Sequence, residues 1–194
     1  SPHLERFTER IKVDGEEIME DEVAMLATLI RPMVEEMAEK SPPLFLRFFD
    51  VVTAIAFKFY QEKGIDYAVL EVGMGGTLDA TNVVDAPVSV ITNVGLEHTN
   101  ILGETVLAIA EKKAGIIKPG GTLITATADN QVYQYLSGVC NRLGSKIYRV
   151  GEDIIYRKLF SDLDQECFTL QGLSHNFEEL CIPLLGRHQI TNAS

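Results

Sequence analysis

No apolar run in this 194-residue chain approaches the ~20 residues that a membrane-spanning helix needs, and no secretory leader is read at its start. A membrane partner is therefore not expected, and the reading is a soluble, cytoplasmic protein. Basic residues are also in short supply: 17 Lys and Arg against 28 Asp and Glu give a formal net charge of -11. That balance excludes the basic stripe with which a nucleic-acid-binding surface displaces counterions. It does not exclude a nucleotide, whose phosphates are met locally by backbone amides, one Lys and a metal. Cysteine is scarce as well. Cys140, Cys167 and Cys181 are odd in number, with no C-x-x-C spacing and no His at zinc-finger distance, so reduced thiols are expected. A G-x-x-x-x-G-K-[ST] phosphate loop is missing from the sequence, as are repeats and low-complexity segments.

What is present is ordinary globular composition, 46% hydrophobic and 23% charged, in a chain long enough for one well-buried domain with a small appendage. Neither end resembles a natural terminus: the chain begins Ser1-Pro2-His3-Leu4 without Met and stops at the polar Thr191-Asn192-Ala193-Ser194. A piece of a longer protein is expected.

Leu26, Leu29, Ile30, Met33, Val34 and Met37 recur at the spacing of one helix face and predict a helix over 21–40, with a kink at Pro32. A second helix is predicted over 46–63, burying Phe48, Val51, Val52, Ile55 and Phe59 and ending at Gly64. Residues 67–72 then form a short apolar run, as a buried parallel strand does. Further strands are predicted over 88–92, 122–125 and 146–150, with helices over 104–114 and 131–143 between them. Such alternation implies an α/β fold: a mostly parallel sheet covered by helices on both faces, over 1–150. Short alternating stretches after Gly151 predict a small antiparallel β appendage over 151–185, and 186–194 begins a last helix.

Three clusters could carry chemistry. Glu71-Val72-Gly73-Met74-Gly75-Gly76-Thr77-Leu78-Asp79-Ala80-Thr81-Asn82 follows the 67–72 run, where open α/β sheets place their ligands. Its glycines permit a sharp turn or a close approach to a ligand, and they equally serve a plain tight loop. It is no dinucleotide fingerprint, because Leu78 stands where the third glycine belongs, so a nicotinamide oxidoreductase is disfavoured. The second cluster, Asn93 to Thr99, holds Glu97 and His98, a pair able to ligate a metal, move protons or simply hydrogen-bond. In the third, Ala110 to Pro119, Lys112 and Lys113 read either as chemistry or as cations suited to a helix C-terminus.

The strings EVGMGGTLDATN and ITNVGLEHTNILGETVLAIAEKKAGIIKPG resemble the folylpolyglutamate synthase and dihydrofolate synthase family of the Mur ligase superfamily. The segments around Ser1 to Leu4 with Glu9-Arg10-Ile11, Phe48 to Phe57, and Gly186-Arg187-His188-Gln189 with Asn192-Ala193 resemble the family in the same order. The resemblance implies that 1–194 is an incomplete central ligase domain. It places the phosphate loop upstream of Ser1 and a C-terminal domain beyond Ser194, and it implies that this chain is inactive alone. The implied reaction adds L-glutamate to folate or dihydropteroate, with ATP and Mg2+, through an acyl phosphate.

Residue by residue, the resemblance makes Glu71, His98 and Lys113 the metal ligands, Lys113 as a carbamate, with Lys113 and His98 also catalytic. It sets Asp79, Ala80 and Thr81 at the pterin side of the substrate and Asn192 near the nucleotide. Three positions depart from the family pattern: Asp50 for Glu, Thr77 for Arg and Glu97 for Asp. The alternatives are a Mur-type ligase of cell-wall synthesis and a noncatalytic α/β binding module.

Overall fold

The computed structural model describes residues 3–40 and 46–194; Ser1 and Pro2 of the opening segment lie outside the described residues. The chain divides into two compact units, Ser1–Met74 with Asp79–Val83, and Gly75–Leu78 with Val84–Ser194.

The first unit opens with a 3-10 turn at Phe7–Arg10 and a small antiparallel pair, β1 (Lys12–Val13) and β2 (Glu16–Glu17). Glu9 organises the entry to that turn. Its carboxylate accepts the backbone N–H groups of Leu4, Glu5 and Arg6 at 2.7–2.9 Å, and these bonds pull its pKa down to about 2. The helices α1 (Glu20–Lys40) and α2 (Phe48–Lys63) follow and pack on each other. Ile11, Ile18, Leu26, Ile30, Ile55 and Phe59 form their common core. Gly64 ends α2 in the left-handed conformation, at φ 63°, where a side chain would be strained.

Both helices lie where their periodicity puts them, but less of each is buried than the apolar spacing predicts. Phe48 is 64% exposed, at the first turn of α2 where helix packing has not begun. Leu29, Met33 and Met37 are half exposed, because the α2 contact takes the stripe through Val23, Leu26, Ala27, Ile30 and Val34 instead. Pro32 sits inside α1 without ending it.

The largest difference falls at 67–72. These residues form no strand; Tyr67 is 93% and Val69 98% exposed. An apolar run becomes a buried strand when neighbouring strands supply a hydrogen-bond ladder, and no strand among the described residues pairs with this one. A 3-10 turn at Ala80–Val83 completes the unit.

In the second unit, β3 (Val88–Ile91), α3 (Thr99–Leu102), α4 (Val106–Ala114), β4 (Thr122–Thr125), α5 (Asn130–Leu143) and β5 (Lys146–Arg149) build a parallel sheet in the order β3-β4-β5. The α/β class expected from alternating strands and helices is therefore observed. Burial on β3 alternates, with Ser89 and Ile91 buried and Val88 and Val90 about half exposed. The expectation of two covered faces thus fails there: helical cover reaches one side of β3. α5 starts on Asp129, whose Oδ1 accepts from Gln131 and Val132, and it buries Val132, Leu136, Val139 and Cys140 at helical spacing. Arg149 closes β5 onto this layer. Its guanidinium donates to Thr127 O, Asn130 Oδ1 and Glu152 Oε1 and lies 4.6 Å from the centre of the Tyr133 ring.

The remaining strands β6 (Ile155–Ser161), β7 (Glu166–Gln171) and β8 (Asn176–Ile182) form the expected antiparallel sheet, and α6 (Arg187–Ala193) follows it. Cys167 and Cys181 are register partners across β7 and β8, with Cα atoms 4.2 Å apart, and are joined as a disulfide. That corrects the expectation of three reduced thiols. Directly opposed antiparallel positions bring their Cβ atoms together, and a separation of 14 residues carries no recognisable spacing. Cys140 is free and buried, and burial raises its thiol pKa.

Candidate active site

The second unit brings one group of predicted residues together around the C-terminus of α4. Thr105 caps the helix at its start, accepting from the Ala108 N–H at 3.1 Å, while Ile109, Ala110 and Ala114 bury one side. The opposite register carries Lys112 and Lys113 to the last turn, where exposed carbonyls favour cations.

The glycine loop caps those carbonyls. Thr77 donates to Lys112 O twice, through its backbone N–H at 2.9 Å and its hydroxyl at 3.1 Å. Gly76 makes the approach possible: a Cβ there would lie 2.7 Å from Lys112 O and 2.9 Å from Lys113 O. The tight-loop and functional readings of these glycines therefore converge, because the loop fixes the helix end that carries Lys113. The side chain of Thr77, a departure from the family's Arg, supplies one of the two bonds of that cap. Gly76→Ala should push the loop off α4 and cost about 1–3 kcal/mol, the usual range for overpacking. Faster amide exchange at Thr77, with a lower unfolding midpoint, would register it.

Lys113 Nζ lies 2.6 Å from Glu97 Oε1, with the Lys113 side chain 22% exposed. The hydrogen bond from Lys113 holds the Glu97 carboxyl below its ordinary pKa. Glu97 adjoins His98, which is exposed and caps α3 from the left-handed region at φ 45° and ψ 41°. Few residues other than glycine adopt that conformation without strain. The His98 carbonyl accepts the N–H groups of Ile101 and Leu102 at 2.8 and 2.9 Å, so the turn of α3 sets where the imidazole leaves the backbone.

Glu71 and Asp79–Thr81 belong to the first unit. Glu71 is exposed at the end of the 67–72 run. Asp79 is committed to its own loop: Oδ2 accepts from the Gly73 and Met74 N–H groups, and Oδ1 from the Thr81 N–H and hydroxyl. With both oxygens accepting two bonds, this carboxylate shapes the turn that presents Ala80 and the buried Thr81. Asn192 lies on α6, exposed, with Nδ2 3.3 Å from Gln189 Oε1.

Two groups that local spacing does not reveal bear on α6. Gly186, its N-cap, donates its N–H to Glu166 Oε1 at 3.1 Å, and Tyr156 and Thr191 share a hydroxyl–hydroxyl bond of 2.8 Å. Their sequence separations of 20 and 35 residues put both beyond the reach of any local pattern.

The arrangement joins a cation held by a carboxylate, a neighbouring imidazole and a glycine loop seated on a helix end. Residues 50–194 match the Mur ligase middle domain family. The chain is 32% identical over 192 residues to the folylpolyglutamate synthase of Lacticaseibacillus casei, covering 99% of this chain and 45% of the relative. The crystal structure of folylpolyglutamate synthase from Thermotoga maritima superposes with a TM-score of 0.91 at 36% identity, over 100% of this chain and 44% of that one. A folylpolyglutamate synthase complex with AMPPCP and folate also gives a TM-score of 0.91, at 31% identity over 99% of this chain and 47% of that one. The chain thus spans a little under half the length of these relatives. It belongs to the Mur ligase middle domain family, and its similarity within that family is to folylpolyglutamate synthases.

Proposed function

We propose that the whole protein to which these residues belong is an ATP-dependent ligase that joins L-glutamate to a folate-type carboxylate, folate or dihydropteroate. The likeness to a folylpolyglutamate synthase that holds both an ATP analogue and folate, over 99% of this chain, carries this reading. In the proposed reaction the acceptor carboxylate takes the γ-phosphoryl group of ATP. The bond to the bridging oxygen breaks, ADP leaves and an acyl phosphate forms. The amino group of glutamate then attacks the acyl carbon, phosphate departs, and the amine proton is lost to a base. Both steps depend on positioning and charge neutralisation more than on covalent chemistry by the protein.

Glu71, His98 and Lys113 are the residues we assign to Mg2+, which when bound neutralises charge on the phosphates. Donor chemistry fits at Glu71, a hard oxygen ligand on an exposed carboxylate, and at His98, an accessible imidazole. Lys113 fits on one condition. As an ammonium paired with Glu97 it repels a cation; as a carbamate it offers anionic oxygens. Adding CO2 requires the neutral amine, so the proton shared with Glu97 must leave first. Ala80 and Thr81, held by Asp79, are assigned to the pterin side, and Asn192 to the nucleotide. A cytoplasmic location fits these small-molecule substrates.

Glu71→Ala in the full-length protein is expected to reduce ATP-dependent turnover about a hundredfold, with partial recovery at raised Mg2+. Undiminished turnover would turn the assignment towards a noncatalytic use of the same scaffold.

A further inference from the structure

α6 has seven residues, too few to be stable on their own, and its N-cap is a glycine with no side chain to accept the first N–H groups. Ile190 is fully buried and gives the helix one apolar anchor. An anchor of that kind fixes depth but not the direction in which the other side chains point. Two polar contacts supply direction. Tyr156 on β6 meets Thr191 in the second turn, and Glu166, the first residue of β7, receives the Gly186 N–H at the start.

Glu166 is an unexpected residue for its place. It is 3% exposed and precedes Cys167 and Phe168, which are fully buried, so an apolar side chain would suit the packing there. A buried carboxylate is unfavourable unless it is paired and hydrogen-bonded. Here Oε2 lies 2.8 Å from Lys158 Nζ on β6, and Oε1 takes the Gly186 N–H at 3.1 Å. The acid therefore links two strands of the antiparallel sheet to the first backbone group of α6. Gly186 itself sits at φ 113°, where the chain turns into the helix, so the bond acts at the point that sets the helix direction.

We propose that Glu166 is a positioning residue for the nucleotide end of the site: by fixing Gly186 it orients α6 and with it Asn192. This inference rests on the assignment of Asn192 to the nucleotide made above. Glu166 touches no substrate. Its influence passes through one backbone hydrogen bond and is shared with the Tyr156 hydroxyl, which holds the same helix one turn further on.

The test compares E166A, E166Q, K158A and Y156F in the full-length protein by steady-state kinetics. E166A should raise KM for ATP about tenfold, with kcat and the KM values for the folate and glutamate substrates within about twofold of the parent. E166Q keeps an amide oxygen for Gly186 and should restore most of the ATP affinity. K158A leaves the Glu166–Gly186 bond in place and should change KM for ATP by less than about twofold. Y156F should weaken ATP in the same direction, by a smaller factor. A purely structural role would instead lower kcat through loss of folded protein and leave the KM values alone. That pattern, or an unchanged KM for ATP in E166A, would overturn the proposal.

Amide exchange on the full-length protein without nucleotide separates this inference from the functional reading. E166A should speed exchange at Gly186 and Ile190, and E166Q should not; equal protection in all three proteins would overturn the positioning role. If the unsubstituted full-length protein bound no ATP, the functional reading would fall, while the exchange experiment would still decide what Glu166 does.

Discussion

Replacing Lys113 by alanine should lower ATP-dependent ligation by the full-length protein at least a hundredfold. The side chain leaves a helix end whose Lys112 carbonyl takes two hydrogen bonds from Thr77, and its ammonium is held 2.6 Å from Glu97 Oε1. A charged group preorganised at a site of phosphoryl transfer is worth about 10²–10³ in rate. The same substitution should barely affect folding. Glu97 is 49% exposed, and an ion pair open to solvent on one side contributes about 0–1 kcal/mol. Large loss of turnover with little change in unfolding midpoint is therefore the expected signature. Lys113→Arg keeps the charge but cannot take up CO2, and should be as slow as alanine; a short-chain carboxylate added to K113A should restore part of the rate. An arginine variant with full activity would mean that Lys113 acts as a plain cation. Full activity in K113A would remove it from the chemistry.

Leu136→Ala should produce the largest loss of stability. Leu136 is fully buried on α5, one helical turn from Val132 and from Val139 and Cys140. Truncation removes about three methylene equivalents of transfer energy and leaves a hole that a close-packed layer fills only in part. The expected cost is about 2–5 kcal/mol, read as a lower denaturant midpoint with an unchanged slope. Leu163→Ala is the control. That side chain is 89% exposed, and its loss should fall within about 0.5 kcal/mol of zero. Equal effects at the two positions would contradict the burial assigned to the α4–α5 layer.

The two predictions draw on features that differ in how openly the sequence displays them. α5 is visible because Asp129, Val132, Leu136 and Gly144 follow the local rules for a cap, a buried stripe and a stop. β4 is found at the residues predicted for it, and α4 within two residues of its predicted start, with Lys113 in its last turn. Local period and local capping decide all of these.

What the sequence hides is partnership at a distance. The run at 67–72 has the composition of a buried strand, but composition cannot tell whether a ladder partner is present. Cys167 and Cys181 are joined by strand register, which forms when β7 and β8 pair. Thr77 reads as a missing arginine and turns out to cap a helix 35 residues away. Glu166 reads as one more acid in an acidic chain, although it is among its most buried polar groups. Asp79 illustrates an intermediate case. The polar cluster marks it for attention, while the structure shows both of its oxygens engaged by the loop itself.

The family assignment is independent of these individual roles; the ligase reading is not. It requires that ATP be consumed only when acceptor and glutamate are both present, because the acyl phosphate must form and then be captured. The direct measurement is coupled-assay ADP release by the full-length protein, with each of ATP, Mg2+, glutamate and folate or dihydropteroate omitted in turn. The account predicts sustained ADP release when all are present and a fall to background when either the acceptor or glutamate is left out. ADP release that ignores both, or that responds to a UDP-linked cell-wall precursor instead, would contradict it.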